Sequence, residues 1–379
     1  MSLIDQDLPW LTTEARNDPD TAQQIIEAFA GRVQTLQRQT DELRAENAML
    51  KRNGGQQASG EQLQRLKTHL HDLRQLATRR GLDQDVLSLL TFSGVGVQLP
   101  APVPMEQTLS LLTPPDEPIG MHKPLYLAHG TWFGSLLAIT SALRMSLVNG
   151  IALPVSDNLD WRDAQPATSL GLARAERVEA ILPVDELRPP RDILIVSRQG
   201  WVRAISWAHA EMLSYSTQAM TLPSVGDTPV WLGEYDAHAD LLILTRNGRW
   251  TRFPLSLVPS LGCAGITLES DDDVVSAVVI GKREAVVWFI GEDGAIFAVA
   301  SSGLEPHKKP NAKAAPLTRR FAGLTCYGVT TKKTELAVLL SNQGDLHVVS
   351  MRGLPIAAKP ADIQPLNVSN QRLIAATLL

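Results

Sequence analysis

One hydrophobic hairpin is written several times along this chain, and its period restricts the fold more than any other feature. Residues 240–259 read DLLILTRNGRWTRFPLSLVP. Leu241, Leu242, Ile243 and Leu244 make a short run suited to a buried strand. Arg246-Asn247-Gly248-Arg249 supplies a tight turn, because Asn-Gly tolerates the positive φ of a hairpin. Trp250, Arg252 and Phe253 continue as the return strand, and Pro254 ends it. The pattern recurs from Asp192 (DILIVSRQGWVRAISW), Glu284 (EAVVWFIGEDGAIFAVASSG) and Glu335 (ELAVLLSNQGDLHVVSMRG). A fainter copy, PLYLAHGTWFGSLLAIT, starts at Pro124. The turn glycines are Gly130, Gly200, Gly248, Gly294 and Gly344, spaced by 70, 48, 46 and 50 residues. A hairpin at that period predicts a propeller or a related repeat fold.

Each core hairpin is preceded by another short apolar run, at residues 178–182, 230–232, 274–280 and 324–329. The faint first hairpin has no such run before it, and residues 373–379 supply one at the C-terminal end. The expectation is five blades over residues 124–379. The last strand would close the ring by pairing beside the strand that starts near Leu125, completing the first blade.

Upstream the organisation changes. Residues 1–20 read as a flexible acidic lead-in. From Ile26 a heptad pattern runs, with Ile26, Val33, Thr40 and Asn47 on one seam position and Phe29, Leu36, Leu43 and Leu50 on the other. That is a coiled-coil seam of about four heptads, with Asn47 able to set register. Residues 53–60 break the helix. A second amphipathic helix, over residues 61–80, carries Leu63, Leu66, Leu70, Leu73 and Ala77. The two helices can form a helical hairpin or join an intermolecular bundle. Residues 21–80 are thus an oligomerisation segment, most simply a parallel dimer. Residues 81–123 read as a proline-rich linker. Within them Gly94-Val95-Gly96 lacks the Lys-Ser/Thr of a phosphate loop.

Charge excludes a generally basic nucleic-acid binder. Residues 1–120 carry 11 Lys+Arg against 16 Asp+Glu, and residues 121–379 carry 24 of each. Any nucleic-acid surface must therefore be a local patch. No apolar run reaches the roughly 20 residues of a membrane helix, and the acidic start of the chain has no signal-peptide pattern. Cys263 and Cys326 sit in apolar surroundings, as expected of reduced thiols in a cytoplasmic protein.

The hairpin LLILTRNGRWTRFPLSLV resembles the blade motif of the C-terminal domain of DNA gyrase A and of its topoisomerase IV counterpart. The next stretch is similar too: Gly262-Cys263-Ala264-Gly265-Ile266-Thr267-Leu268 leads into Asp271-Asp272-Asp273-Val274-Val275. The resemblance spans about residues 121–379. It implies a β-pinwheel, a propeller-like disc whose blades exchange strands and whose basic rim binds and bends duplex DNA. The chain departs from the family in three ways. It shows no winged-helix region or Arg-Tyr nucleophile motif, and no Gln-Arg-Arg-Gly-Gly-Lys-Gly box. The turn Ser260-Leu261-Gly262-Cys263 carries no arginine. Strand cleavage and chiral supercoiling are accordingly not expected.

The expected fold is therefore an all-β five-bladed pinwheel preceded by an α-helical coiled coil. No nucleophile, metal or cofactor motif stands out among the scattered histidines and acids, so the chain reads as a non-enzyme without cofactors. The acidic run Asp271-Asp272-Asp273 reads as a turn between strands rather than a calcium loop, whose ligands are more widely spaced. The strongest binding stretch is PHKKPNAKAAPLTRR at residues 306–320. Lys308, Lys309, Lys313, Arg319 and Arg320, followed by Lys332 and Lys333, face one acid, Glu305. Arg246, Arg249 and Arg252 add to the expected rim. The Cys263 turn, without basic side chains, is expected to add little affinity. Trp201, Trp207, Trp231, Trp250 and Trp288 read as blade packing. Two functions fit: sequence-tolerant duplex DNA binding beside a topoisomerase or another nucleoid protein, or a protein-interaction scaffold that does not bind DNA.

Overall fold

Buried on both faces, the first strand of every repeat explains why its sequence is a continuous apolar run rather than an alternating one. A computed structural model describes residues 85–379, apart from residues 92, 102–108, 111–125, 132–133, 151–152, 156–164, 168–169, 174–175, 185–189, 215–218, 283–285, 319–320 and 330–335. The heptad segment, with Ile26, Phe29, Val33, Leu36, Leu43, Asn47 and Leu50, lies outside the described residues.

Six hairpins are present among the described residues, where the sequence suggested five. Their strands are Asp85–Leu90 with Val95–Pro100, Ser135–Thr140 with Met145–Asn149, Asp192–Ser197 with Trp201–Ser206, Asp240–Thr245 with Arg249–Pro254, Val286–Gly291 with Ala295–Ala300, and Leu336–Ser341 with Asp345–Ser350. Blades 1 to 6 are numbered in that order. The hairpin of blade 1 lies in the stretch expected to be linker, so the disc belongs to a unit that begins at Gly81 rather than near residue 124. The faint copy at Pro124 is not a hairpin. Tyr126–Thr131 pairs with blade 1, and Ser135–Thr140 opens blade 2. The true turn of blade 2 carries Leu143 at φ 60°, where the other five hairpins have glycine. A leucine in that position is uncommon; it hides the repeat and produces the false spacing of 70.

The separate apolar runs also belong elsewhere than expected. Each completes the hairpin before it, not the one after. Val178–Val184 pairs with blade 2, Pro229–Glu234 with blade 3, Val274–Ile280 with blade 4 and Gly323–Val329 with blade 5. Leu373–Leu378 pairs with Leu336–Ser341 of its own blade 6, not with blade 1. These third strands are innermost: residues from all six line a central cavity of 440 Å³.

Outermost strands come from the next blade along. Cys263–Ala264 adds to blade 3, Ala315–Pro316 to blade 4 and Ile356–Ala357 to blade 5, while Gln165–Pro166 adds to blade 1. Leu109–Ser110, from the chain between the strands of blade 1, adds to blade 6 and ties the ring shut. This exchange is what makes the disc a pinwheel. Each pair of neighbouring blades shares one apolar core. Leu241 and Ile243 point into the core with blade 3, whereas Leu242 and Leu244 point into the core with blade 5. Period-two alternation thus feeds two cores at once. The first and last blades close the ring through Leu87, Leu89 and Val97 packed with Val338, Leu340 and Ala375. Trp250 and Trp288 are buried in these cores, and Trp231 lines the central cavity. One eight-residue helix, Trp207–Ser214, packs on the core between blades 2 and 3 among the described residues.

Five first strands end in, or in blade 1 are directly followed by, a buried Ser or Thr whose hydroxyl accepts the N–H four residues on: Thr91, Thr140, Ser197, Thr245 and Ser341. The hydroxyl pins the turn. Three residues beyond Thr245 in the blade 4 turn, Gly248 has φ 66°, and a side chain there would meet the Phe321 carbonyl at 2.2 Å. In blade 2 the turn is held also by Glu176, whose side chain is 4% exposed and pairs with Arg144. Burial pushes this carboxyl up, but bonds from Arg144, Thr140 and the Ala173 N–H outweigh it and hold its pKa at about 2. A lowered acid stabilises the fold above its ordinary pKa near 4.5 and loses that contribution as pH falls towards 2. Glu176→Gln should lower the melting temperature at pH 7 and flatten its fall between pH 4.5 and 2. An unchanged acid limb would contradict this role.

Candidate nucleic-acid interface

The basic stretch of residues 306–320 is the arm by which blade 5 reaches across to blade 4. Leu304, fully buried, anchors its start. The His307 N–H donates to the Arg252 carbonyl (2.6 Å), and the Asn311 N–H to the Gly265 carbonyl (3.1 Å). Ala312–Lys313 then pairs in parallel with Ile266–Thr267, and Ala315–Pro316 pairs with Arg249 and Trp250. Leu317 returns to the core, its N–H bonded to the Gly248 carbonyl (2.9 Å). The backbone is thus fixed at both ends, and Lys308, Lys309 and Lys313 are exposed along it. None of the three is ion-paired to a described residue. Arg319, Arg320, Lys332 and Lys333 lie outside the described residues.

The three hairpin arginines are placed differently: each serves a carboxylate. Arg252, 13% exposed, binds Asp240 (2.8 Å) and donates to the Ser301 (2.6 Å) and Leu304 (3.0 Å) carbonyls, so it holds the root of the lysine arm. Arg249 pairs with Glu269 at 2.9 Å. Arg246 binds Asp273 (2.7 Å) and Glu292 (2.8 Å).

Arg246 belongs to a belt of alternating charge that crosses the hairpin-turn face. Arg177 pairs with Glu179, which faces Arg198 at 3.8 Å; Arg198 reaches Asp273 at 2.9 Å, and Glu292 reaches Arg372 at 2.7 Å. The belt joins blades 2 to 6. Burial pushes the Asp273 carboxyl up, but Arg246 and Arg198 outweigh it and keep it below the usual carboxylate range. Asp272 accepts the Asn247 N–H (3.0 Å). The acidic run thus serves the fold as a turn that organises its neighbours.

A second exposed basic arm adjoins the first. Residues 351–372 carry blade 6 onto blade 5 and present Arg352 and Lys359, both exposed. The arms touch at Gly303: a side chain there would sit 1.9 Å from the Ala358 carbonyl and 3.3 Å from the Lys359 Cα. Sequence reading missed Arg352 and Lys359 because each stands alone among apolar and small residues. Their common position on exchange arms was the available signal. Together the two arms set five exposed cations that pair with no described carboxylate, Lys308, Lys309, Lys313, Arg352 and Lys359, along the rim of blades 4 and 5. Cys263 and Cys326 are free thiols; burial raises both, Cys326 to about 12.

Strand exchange around a closed six-bladed ring defines the class: a β-pinwheel. Among solved structures, a DNA gyrase A C-terminal domain is similar, with a TM-score of 0.63 at 14% identity over 77% of this chain and 99% of that one. The C-terminal domain of DNA topoisomerase IV is similar as well, with a TM-score of 0.51 at 15% identity over 78% of this chain and 94% of that one. No family model matches the chain, and no curated protein matches its sequence. No described helix is long and apolar enough to cross a membrane.

Proposed function

We propose that the disc binds duplex DNA along the rim of blades 4 and 5, without catalysis and without sequence preference, as a factor that works beside a topoisomerase or at the nucleoid. One observation carries this reading. Lys308, Lys309 and Lys313 are held on an arm whose backbone is fixed at both ends and pair with no carboxylate among the described residues, whereas the arginines around them are spent on ion pairs. Extended backbone between small residues and prolines lets such lysines follow a phosphate chain. The likeness to domains of a DNA gyrase and a DNA topoisomerase agrees with it. Fluorescence anisotropy with duplexes of unrelated sequence tests it. Comparable affinities that fall steeply with salt are the expected result. Absence of binding at about 50 mM salt, where phosphate contacts are strong, would leave the second reading. That reading is a protein-interaction scaffold, which the equal numbers of acids and bases over residues 121–379 favour.

Self-association through residues 26–50 is part of the proposal. A narrow apolar seam cannot be buried by one helix alone. Light scattering should give the mass of a dimer, and Leu36→Asp with Leu43→Asp should give a monomer with an unchanged disc. A monomeric native protein would instead favour the intramolecular helical hairpin.

A further inference from the structure

The arm that crosses from blade 4 to blade 3 carries an apolar side chain where turns ordinarily carry polar ones. Leu261 is 79% exposed at the tip of the turn Pro259-Ser260-Leu261-Gly262. The tip is rigid. The Gly262 N–H donates to the Pro259 carbonyl (2.8 Å), and Gly262 has φ 87°. A side chain at Gly262 would meet Trp201 Nε1 at 2.6 Å and the Val202 carbonyl at 2.7 Å. The turn is therefore packed hard against blade 3 at Gly262, and Leu261, the residue before it, stands out into solvent. Leu257, on the same arm, is 41% exposed. The residues beside Leu261 are uncharged, so nothing at the tip resists removal from water.

The same arm holds the lysine arm. Thr267 is the strand partner of Lys313, and the Gly265 carbonyl accepts the Asn311 N–H. Leu261 precedes Thr267 by six residues. Chain reach alone places it within about 25 Å of Lys313. One turn of B-DNA is about 34 Å. A duplex on the lysine arm therefore lies within reach of the leucine over a single turn.

We propose that Leu261 is a wedge. With phosphates held by Lys308, Lys309 and Lys313, its side chain enters the minor groove, parts two stacked base pairs and kinks the duplex. Apolar side chains inserted at a base step bend DNA in this way, and the cost of unstacking is offset by contacts that the bent duplex makes with the protein. Wedge action would leave affinity mainly to the lysines and shape mainly to the leucine. The inference rests on the duplex-binding reading above.

The test uses the full chain and duplexes of about 40 base pairs carrying end dyes for energy transfer or scattered 2-aminopurines. The native protein should shorten the end-to-end distance and brighten the 2-aminopurine. Leu261→Ala and Leu261→Ser should lose most of both signals while affinity stays within about threefold. Leu261→Met, another apolar wedge, should retain them. Melting curves should not move, because the side chain is exposed. Equal bending and brightening by Leu261→Ala would overturn the wedge and leave DNA binding intact. Failure of the native protein to bind duplex would overturn both readings together.

Discussion

Reversing Lys308, Lys309 and Lys313 to glutamate should weaken duplex binding by at least about a hundredfold, equally for all sequences. The effect is large because the protein has no long-range attraction to fall back on: its formal net charge is −5. Attraction must come from cations within about a Debye length of the phosphates, roughly 8 Å at physiological salt. Five exposed cations with no described ion-pair partner occupy the two touching arms. If each neutralises one phosphate, the slope of log K against log salt is about −4.5. Replacing the three lysines by glutamine removes three of those contacts and should reduce the slope to about −1.8. Glutamate adds repulsion. Phosphate contacts carry no base information, so the loss should not depend on sequence. Full binding by the triple variant, or a native slope near zero, would remove this arm from the interface.

Ending the chain at Arg372 should prevent the disc from folding. The lost strand, Leu373–Leu378, is the inner strand of blade 6. Leu373 and Ala376 belong to the core shared with blade 5, and Ala375 to the core that closes the ring against blade 1. The Tyr327 hydroxyl would also lose the Ala376 carbonyl it donates to at 2.6 Å. Opening two cores and exposing a paired sheet edge should cost more than about 5 kcal/mol, the low end of a whole domain's stability. Circular dichroism and tryptophan emission should report loss of the native state across the whole ring. A truncated chain that melts cooperatively at the native temperature would show that closure does not depend on this strand.

Substituting Arg246 or Arg249, by contrast, should act through the fold more than through phosphate contact, since each is committed to a carboxylate. That distinction was not visible in the primary sequence. A cluster of basic residues reads the same whether its partners are phosphates or acids. Arg246 finds Glu292 forty-six positions away, and only the meeting of two blades makes them neighbours.

What the sequence by itself determined was the unit. A strand that feeds apolar side chains to cores on both sides must be a continuous apolar run, and a two-strand return needs a residue that accepts positive φ. Both conditions are local, so residues 240–254 announce their hairpin without help from the rest of the chain. The exposed lysines of residues 308–313 were legible for the same reason, because no acid lies near them in sequence except Glu305. The number of blades was not local. Leu143 in place of a turn glycine masked one repeat, and the prolines beyond residue 100 disguised the hairpin of another as linker. Nor could sequence say whether an apolar run completes the hairpin before it or the one after it. Strand pairing is decided by which edges are left open once all six hairpins have packed. Only the tertiary structure brought Leu109–Ser110 to the far end of the chain, Lys359 to the side of the lysine arm, and Leu261 to an exposed turn packed on blade 3.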